Sequence, residues 1–160
     1  MQTVAWSNIL ELGHERIDTE HRLLLRLAAE IAEITDAGGG VGMLQPRYQT
    51  FLRILTAHCA FEERLLQSLP RAVFGAQVDE YCRGHARLID QAKSVAAGTL
   101  PQGYDSPRGF VDAYFQMMHD LLIDDAALIG ALVREGRFTP VHTGQAGGQP
   151  CYAWSDLPPI

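Results

Sequence analysis

The chain has 160 residues, 47% of them apolar and 20% charged, with a formal net charge of −6. Those figures suit one compact soluble domain with a sizeable core, and the acidic balance, with no basic stripe, excludes binding to a phosphate backbone. The most apolar stretch, residues 23–34, is interrupted by Arg26, Glu30 and Glu33, so no bilayer-spanning segment is expected; three cysteines are too few for a disulfide framework.

An arm, residues 1–17, leads the chain. It has neither a cationic start nor a long apolar run, so it does not read as a secretory signal, and a cytoplasmic location is expected. The first helix is expected over residues 18–36, with Asp18 as its N-cap and Leu24, Ala28, Ile31 and Ile34 recurring at helical spacing. The glycine-rich stretch 37–42 ends it. A second helix, residues 46–69, opens at Pro46, which suits a first turn, and carries Tyr48, Phe51, Leu52, Leu55, Cys59, Leu65 and Leu66 on its apolar face. The third, residues 77–97, is marked by Val78, Leu88, Ala92 and Val95. The fourth, residues 107–135, follows a Ser106-Pro107 start and carries Val111, Tyr114, Met118, Leu122, Ile129 and Leu132. Residues 137–160 form a Gly/Pro-rich, irregular tail that Tyr152 and Trp154 would pack onto the bundle. No segment alternates as a strand does, so the expected fold is all-α: an antiparallel, up-down four-helix bundle of one domain, residues 1–136.

The polar residues on the apolar faces carry the functional information. His58 and Glu62 are four apart and share a face between Leu55 and Leu65. His21 lies one turn before Leu24 and Leu25. Tyr81 and His85 are in line with Val78 and Leu88, and His119 and Asp124 lie on the fourth helix. Burying such groups costs several kcal/mol unless they pair or bind a metal. Each has an ordinary reading as a hydrogen-bonded core residue or a solvated charge. Together, four His, two carboxylates and a phenol from four helices make a donor set for two metal ions. His119 and Asp124 are about 140° apart around an ideal helix, so they would serve two ions rather than chelate one.

These residues resemble the hemerythrin family, most closely its bacterial members. The resemblance rests on Trp6…Gly13-x3-Ile17-Asp18-x2-His21, then His58-x3-Glu62-Glu63, then Tyr81-x3-His85, then His119-x4-Asp124-Asp125. It implies two iron ions per chain, joined by an oxo or hydroxo group. His21 and His58 would bind one iron; Tyr81, His85 and His119 would bind the other; Glu62 and Asp124 would bridge them. It also implies that O2 binds at the iron held by fewer protein groups, the one on His21 and His58. The main departure is Tyr81, where the family has His. Tyr81 either ligates as a phenolate, which favours ferric iron, or packs nearby and leaves that iron a free position.

The expected function is therefore a non-haem di-iron protein binding O2 or a related small ligand, for sensing, storage or delivery, with a signalling protein as the partner a sensing role would need. The alternative is an enzyme of the same scaffold acting on peroxide or nitric oxide, a reading that Tyr81 favours. A ferritin-like site lacks its Glu-x-x-His pairs here, a zinc site leaves several donors unexplained, and a metal-free bundle would use the histidines as core hydrogen-bonding groups. Cys59 and Cys82, beside expected ligands, read as packing residues, and His14 and His142 as surface residues.

Overall fold

The computed structural model describes residues 12–139. Four helices make up most of that span: α1 (Glu15–Asp36), α2 (Val41–Leu66), α3 (Arg71–Ala96) and α4 (Pro107–Arg134). Among the described residues there is no strand, and no helix is long and apolar enough to cross a membrane. Trp6, His142, Tyr152, Trp154 and most of the expected arm and tail lie outside the described residues.

Cross-helix contacts fix the antiparallel order. His21 meets His58, while Glu30, further along α1, pairs with Arg47, earlier on α2. Tyr81 bonds Glu62, while Gln45 and Gln49 donate to the Ala96 carbonyl at the opposite end of the α2–α3 pair. Arg108 at the start of α4 pairs with Asp36 at the end of α1. Each helix thus returns beside its predecessor, and α4 closes against α1.

Three starts differ from the expected ones. The N-cap of α1 is His14, whose Nδ1 accepts from the Ile17 amide. Asp18 lies one turn inside and is buried; its carboxylate folds back to accept the amides of Leu12 and Gly13, at 2.7 and 3.0 Å. Asp18 thus ties the arm to the helix instead of opening it. His14 is no free surface residue either, since its ring lies against Phe61 and Phe138. The second helix begins at Val41, with Gly40 extended as its cap, so Pro46 falls inside the helix. There its ring costs one backbone bond near the helix start rather than breaking the helix. The third begins at Arg71 directly after Pro70, because residues 71–76 hold no proline and the single Gly75 is accommodated inside the helix.

The interior has two unlike halves. At one end Leu44, Tyr48, Phe51, Phe110 and Tyr114 are fully buried, with the Tyr48 ring centroid 5.7–6.0 Å from those of Phe51, Phe110 and Tyr114. At the other end the buried groups include His21, His58, Glu62, Tyr81, His85 and Asp125. At the level of these polar groups α3 and α4 approach closely at Gly84, where an added Cβ would stand 2.6 Å from Leu121 Cδ2.

Candidate metal centre

Each of the four helices delivers a polar group to one level of the bundle. On α1, His21 is in phase with Leu24, Leu25 and Ala28. On α2, His58 and Glu62 are stacked one turn apart between Leu55 and Leu66. On α3, Tyr81 and His85 are stacked between Val78 and Leu88. On α4, Asp125 is in phase with Met118, Leu122 and Ile129. All six are at most 4% exposed.

His21, His58, Glu62 and Asp125 offer donor atoms that all lie within 4.8 Å of one another, a group that can hold a metal ion. His21 Nε2 is 3.1 Å from His58 Nε2, 3.2 Å from Asp125 Oδ2 and 3.5 Å from Glu62 Oε1. His58 Nε2 is 3.3 Å from the same Glu62 oxygen. The other oxygen of Glu62 faces the other way. Its Oε2 accepts the Tyr81 hydroxyl at 2.8 Å and lies 3.5 Å from His85 Nε2. One carboxylate therefore separates two donor pairs, His21/His58 and Tyr81/His85.

The outer sides of two imidazoles are held by carboxylates. His58 Nδ1 donates to Glu20 Oε2 and His85 Nδ1 donates to Glu63 Oε1, each at 3.0 Å. A carboxylate can only accept, so the Nδ1 protons are fixed and both Nε2 atoms present lone pairs to the cluster. Among the described residues, the buried His21 Nδ1 makes no such bond, and Glu62 Oε1 makes no hydrogen bond either.

The charges follow from this crowding. Burial would push His21 down, but the Asp125 and Glu62 carboxylates beside it override that and hold it up at about 10. At neutral pH the metal-free chain thus carries a proton on His21 Nε2, facing His58, Asp125 and Glu62, where a cation would be shared. Burial, reinforced by the Glu62 charge, pushes Asp125 up to about 6. Burial would raise Glu62, but His58, His21 and His85 together hold it below the usual carboxylate range. Burial lowers His85 despite its two glutamates.

Nitrogen and carboxylate donors in this mixture suit iron, zinc or manganese rather than calcium or magnesium. The lone Glu62 oxygen and the converging Nε2 atoms are what a metal would satisfy. Beside them lies a small cavity of about 20 Å³, enough for one water-sized molecule. His21, His58, His85 and Asp125 contribute polar atoms to it, and Leu24, Leu55, Leu88 and Met118 are among its apolar walls.

Of the seven expected ligands, the structure brings together His21, His58, Glu62, Tyr81 and His85. It leaves out His119 and Asp124. The His119 side chain is 42% exposed beside Asp120, and Asp124 faces solvent. The α4 carboxylate of the cluster is Asp125. The correction has a simple cause: Asp125 is seven residues after Met118 and four before Ile129, on the inner stripe, whereas its neighbour is rotated about 100° away. That signal was present in the stripe itself. Glu20 and Glu63 had no comparable signal, since each acts across a helix–helix interface. Cys59 lines the cavity; burial pushes its thiol far up, so it stays protonated. Cys82, half-buried, points elsewhere and is likewise raised by burial.

Compared with known proteins, the chain matches no family model, no curated protein and no solved structure.

Proposed function

We propose that this chain is a hemerythrin-like non-haem iron protein that holds two iron ions around Glu62 and binds O2 or a related small ligand beside them. The observation that carries the reading is the orientation of Glu62, whose two buried oxygens face different donor pairs. A carboxylate so placed suits a bridge. His21, His58 and Asp125 would hold one ion, and Tyr81 and His85 the other. Bound iron would supply one-electron redox chemistry and free coordination positions.

The chain's own residues supply the rest. Leu24, Leu55, Leu88 and Met118 keep bulk water from the cavity, which makes every charge interaction inside it stronger. Asp125 and Glu62 offset the positive charge of the ions. Tyr81 holds a hydroxyl proton against Glu62 Oε2. That phenol is the specific feature favouring the second reading, an enzyme that consumes peroxide or nitric oxide.

Metal analysis tests the first step: two iron per chain are expected, and one zinc per chain would refute the di-iron reading. Stopped-flow mixing of the reduced, iron-loaded protein with O2 separates the two functions. A reversible spectral change supports binding; irreversible oxidation with peroxide turnover supports the enzyme. A phenolate-to-ferric charge-transfer band in the visible would mark Tyr81 as a ligand.

A further inference from the structure

The polar cluster is surrounded by an arrangement that repeats from helix to helix. Glu20 adjoins His21 on α1 and reaches across to His58 on α2. Glu63 adjoins Glu62 on α2 and reaches across to His85 on α3. In both cases the residue next to an inward donor leaves the core, runs along the interface and accepts a hydrogen bond from Nδ1–H of the following helix's histidine. Neither glutamate faces the cluster: the Glu20 side chain is 18% exposed and that of Glu63 is 34% exposed. Glu20 is itself held, since its Oε1 accepts Arg16 Nε at 2.9 Å, and the Arg16 guanidinium lies over the Phe61 ring. The step from α4 back to α1 is missing. Asp124, which adjoins Asp125, points to solvent, and His21 Nδ1 makes no hydrogen bond among the described residues.

We propose that Glu20 and Glu63 are the positioning residues of the centre, each fixing the tautomer and ring angle of one histidine, so that His58 and His85 are anchored at their outer nitrogens, whereas His21 has no outer partner among the described residues. The proposal rests on the metal-binding reading for its consequence, but its geometric content stands in the metal-free chain. A ring whose Nδ1–H is bonded to a carboxylate is a better base at Nε2 and cannot turn away, and losing such a partner typically weakens metal binding 10–100-fold. His21, which also lines the cavity, is held only on its inner side, where Nε2 meets His58, Asp125 and Glu62.

Two measurements on the full chain test this. The first is long-range nitrogen–proton NMR of the histidine rings in the metal-free protein at pH 8. The parent should show His58 and His85 as Nδ1–H tautomers. Glu20→Ala should alter His58 alone, and Glu63→Ala should alter His85 alone. Nε2–H tautomers in the parent would overturn the proposal without any variant, as would tautomers indifferent to both substitutions. The second is zinc affinity by chelator competition. A 10–100-fold loss is expected for either Ala variant, a smaller loss for Glu20→Gln and Glu63→Gln, which keep an acceptor, and less than a twofold change for the surface control Glu30→Ala. Affinity within twofold of the parent in both Ala variants would refute the positioning role. A parent that takes up no zinc, iron or cobalt at all would instead refute the metal-binding reading, while the NMR result would still decide who sets the rings.

Discussion

The two ends of the bundle interior follow opposite rules. The aromatic end, built on Tyr48, Phe51, Phe110 and Tyr114, buries large apolar surface with only two hydroxyls. One of them, on Tyr114, donates to the Leu88 carbonyl at 3.1 Å. The polar end buries three imidazoles, two carboxylates and a phenol within a few ångströms of one another. Apolar burial stabilises a fold without specifying chemistry, whereas buried charge seldom repays its desolvation. The comparison teaches that the first end holds the helices together and the second is held in place by them.

The contrast breaks most sharply at Phe51. Phe51→Ala should lower unfolding free energy by about 3–5 kcal/mol in chemical denaturation, while zinc affinity of the folded variant changes little. A large loss of affinity with small loss of stability would dissolve the division of labour.

The next effect, on the order of a few kcal/mol, comes from pH. His21 is raised in the folded chain from 6.5 to about 10. Its contribution to stability is therefore complete below pH 6.5 and is lost as pH climbs toward 10. The metal-free protein should become easier to denature from pH 6.5 upward, well before the buried thiol of Cys59 adds the same trend above about pH 9. Zinc affinity should move the opposite way, rising about tenfold per pH unit over that window, because the same proton must leave before the metal binds. Parallel trends would show that His21 is not among the donors.

A smaller effect is expected at Tyr48, which is fully buried with a hydroxyl that makes no hydrogen bond among the described residues. Tyr48→Phe should raise stability by about 1 kcal/mol, read as a shift in denaturation midpoint at constant slope. The smallest effects sharpen the boundary of the polar end. His119→Ala and Asp124→Asn should each alter stability by less than about 0.5 kcal/mol and leave zinc affinity unchanged. Weakened zinc binding in either would return that residue to the centre.

Helical periodicity made the four-helix architecture legible, because apolar stripes and glycine or proline breaks are local properties of the chain. Helix starts were less so. Asp18 has the chemistry of an N-cap, but the preceding backbone offered it two amides and His14 took the cap. On the polar faces, phase identified His21, His58, Glu62, Tyr81 and His85. On α4, motif spacing singled out Asp124, while the stripe through Met118 and Ile129 pointed to Asp125; the stripe prevailed because burial is decided by helix rotation. Glu20 and Glu63 were invisible for another reason: a bond between residues 38 or 22 positions apart exists only once helices are packed.

The even number of helices has a practical consequence. His14, at the head of α1, stacks on Phe138, just beyond the end of α4, with ring centroids 5.1 Å apart. A short linker could therefore join these two points, and the chain could be opened instead at the glycine turn of residues 38–40, across the bundle from His21. Such a circular permutant would keep every donor on its own helix while reversing which segment is synthesised first.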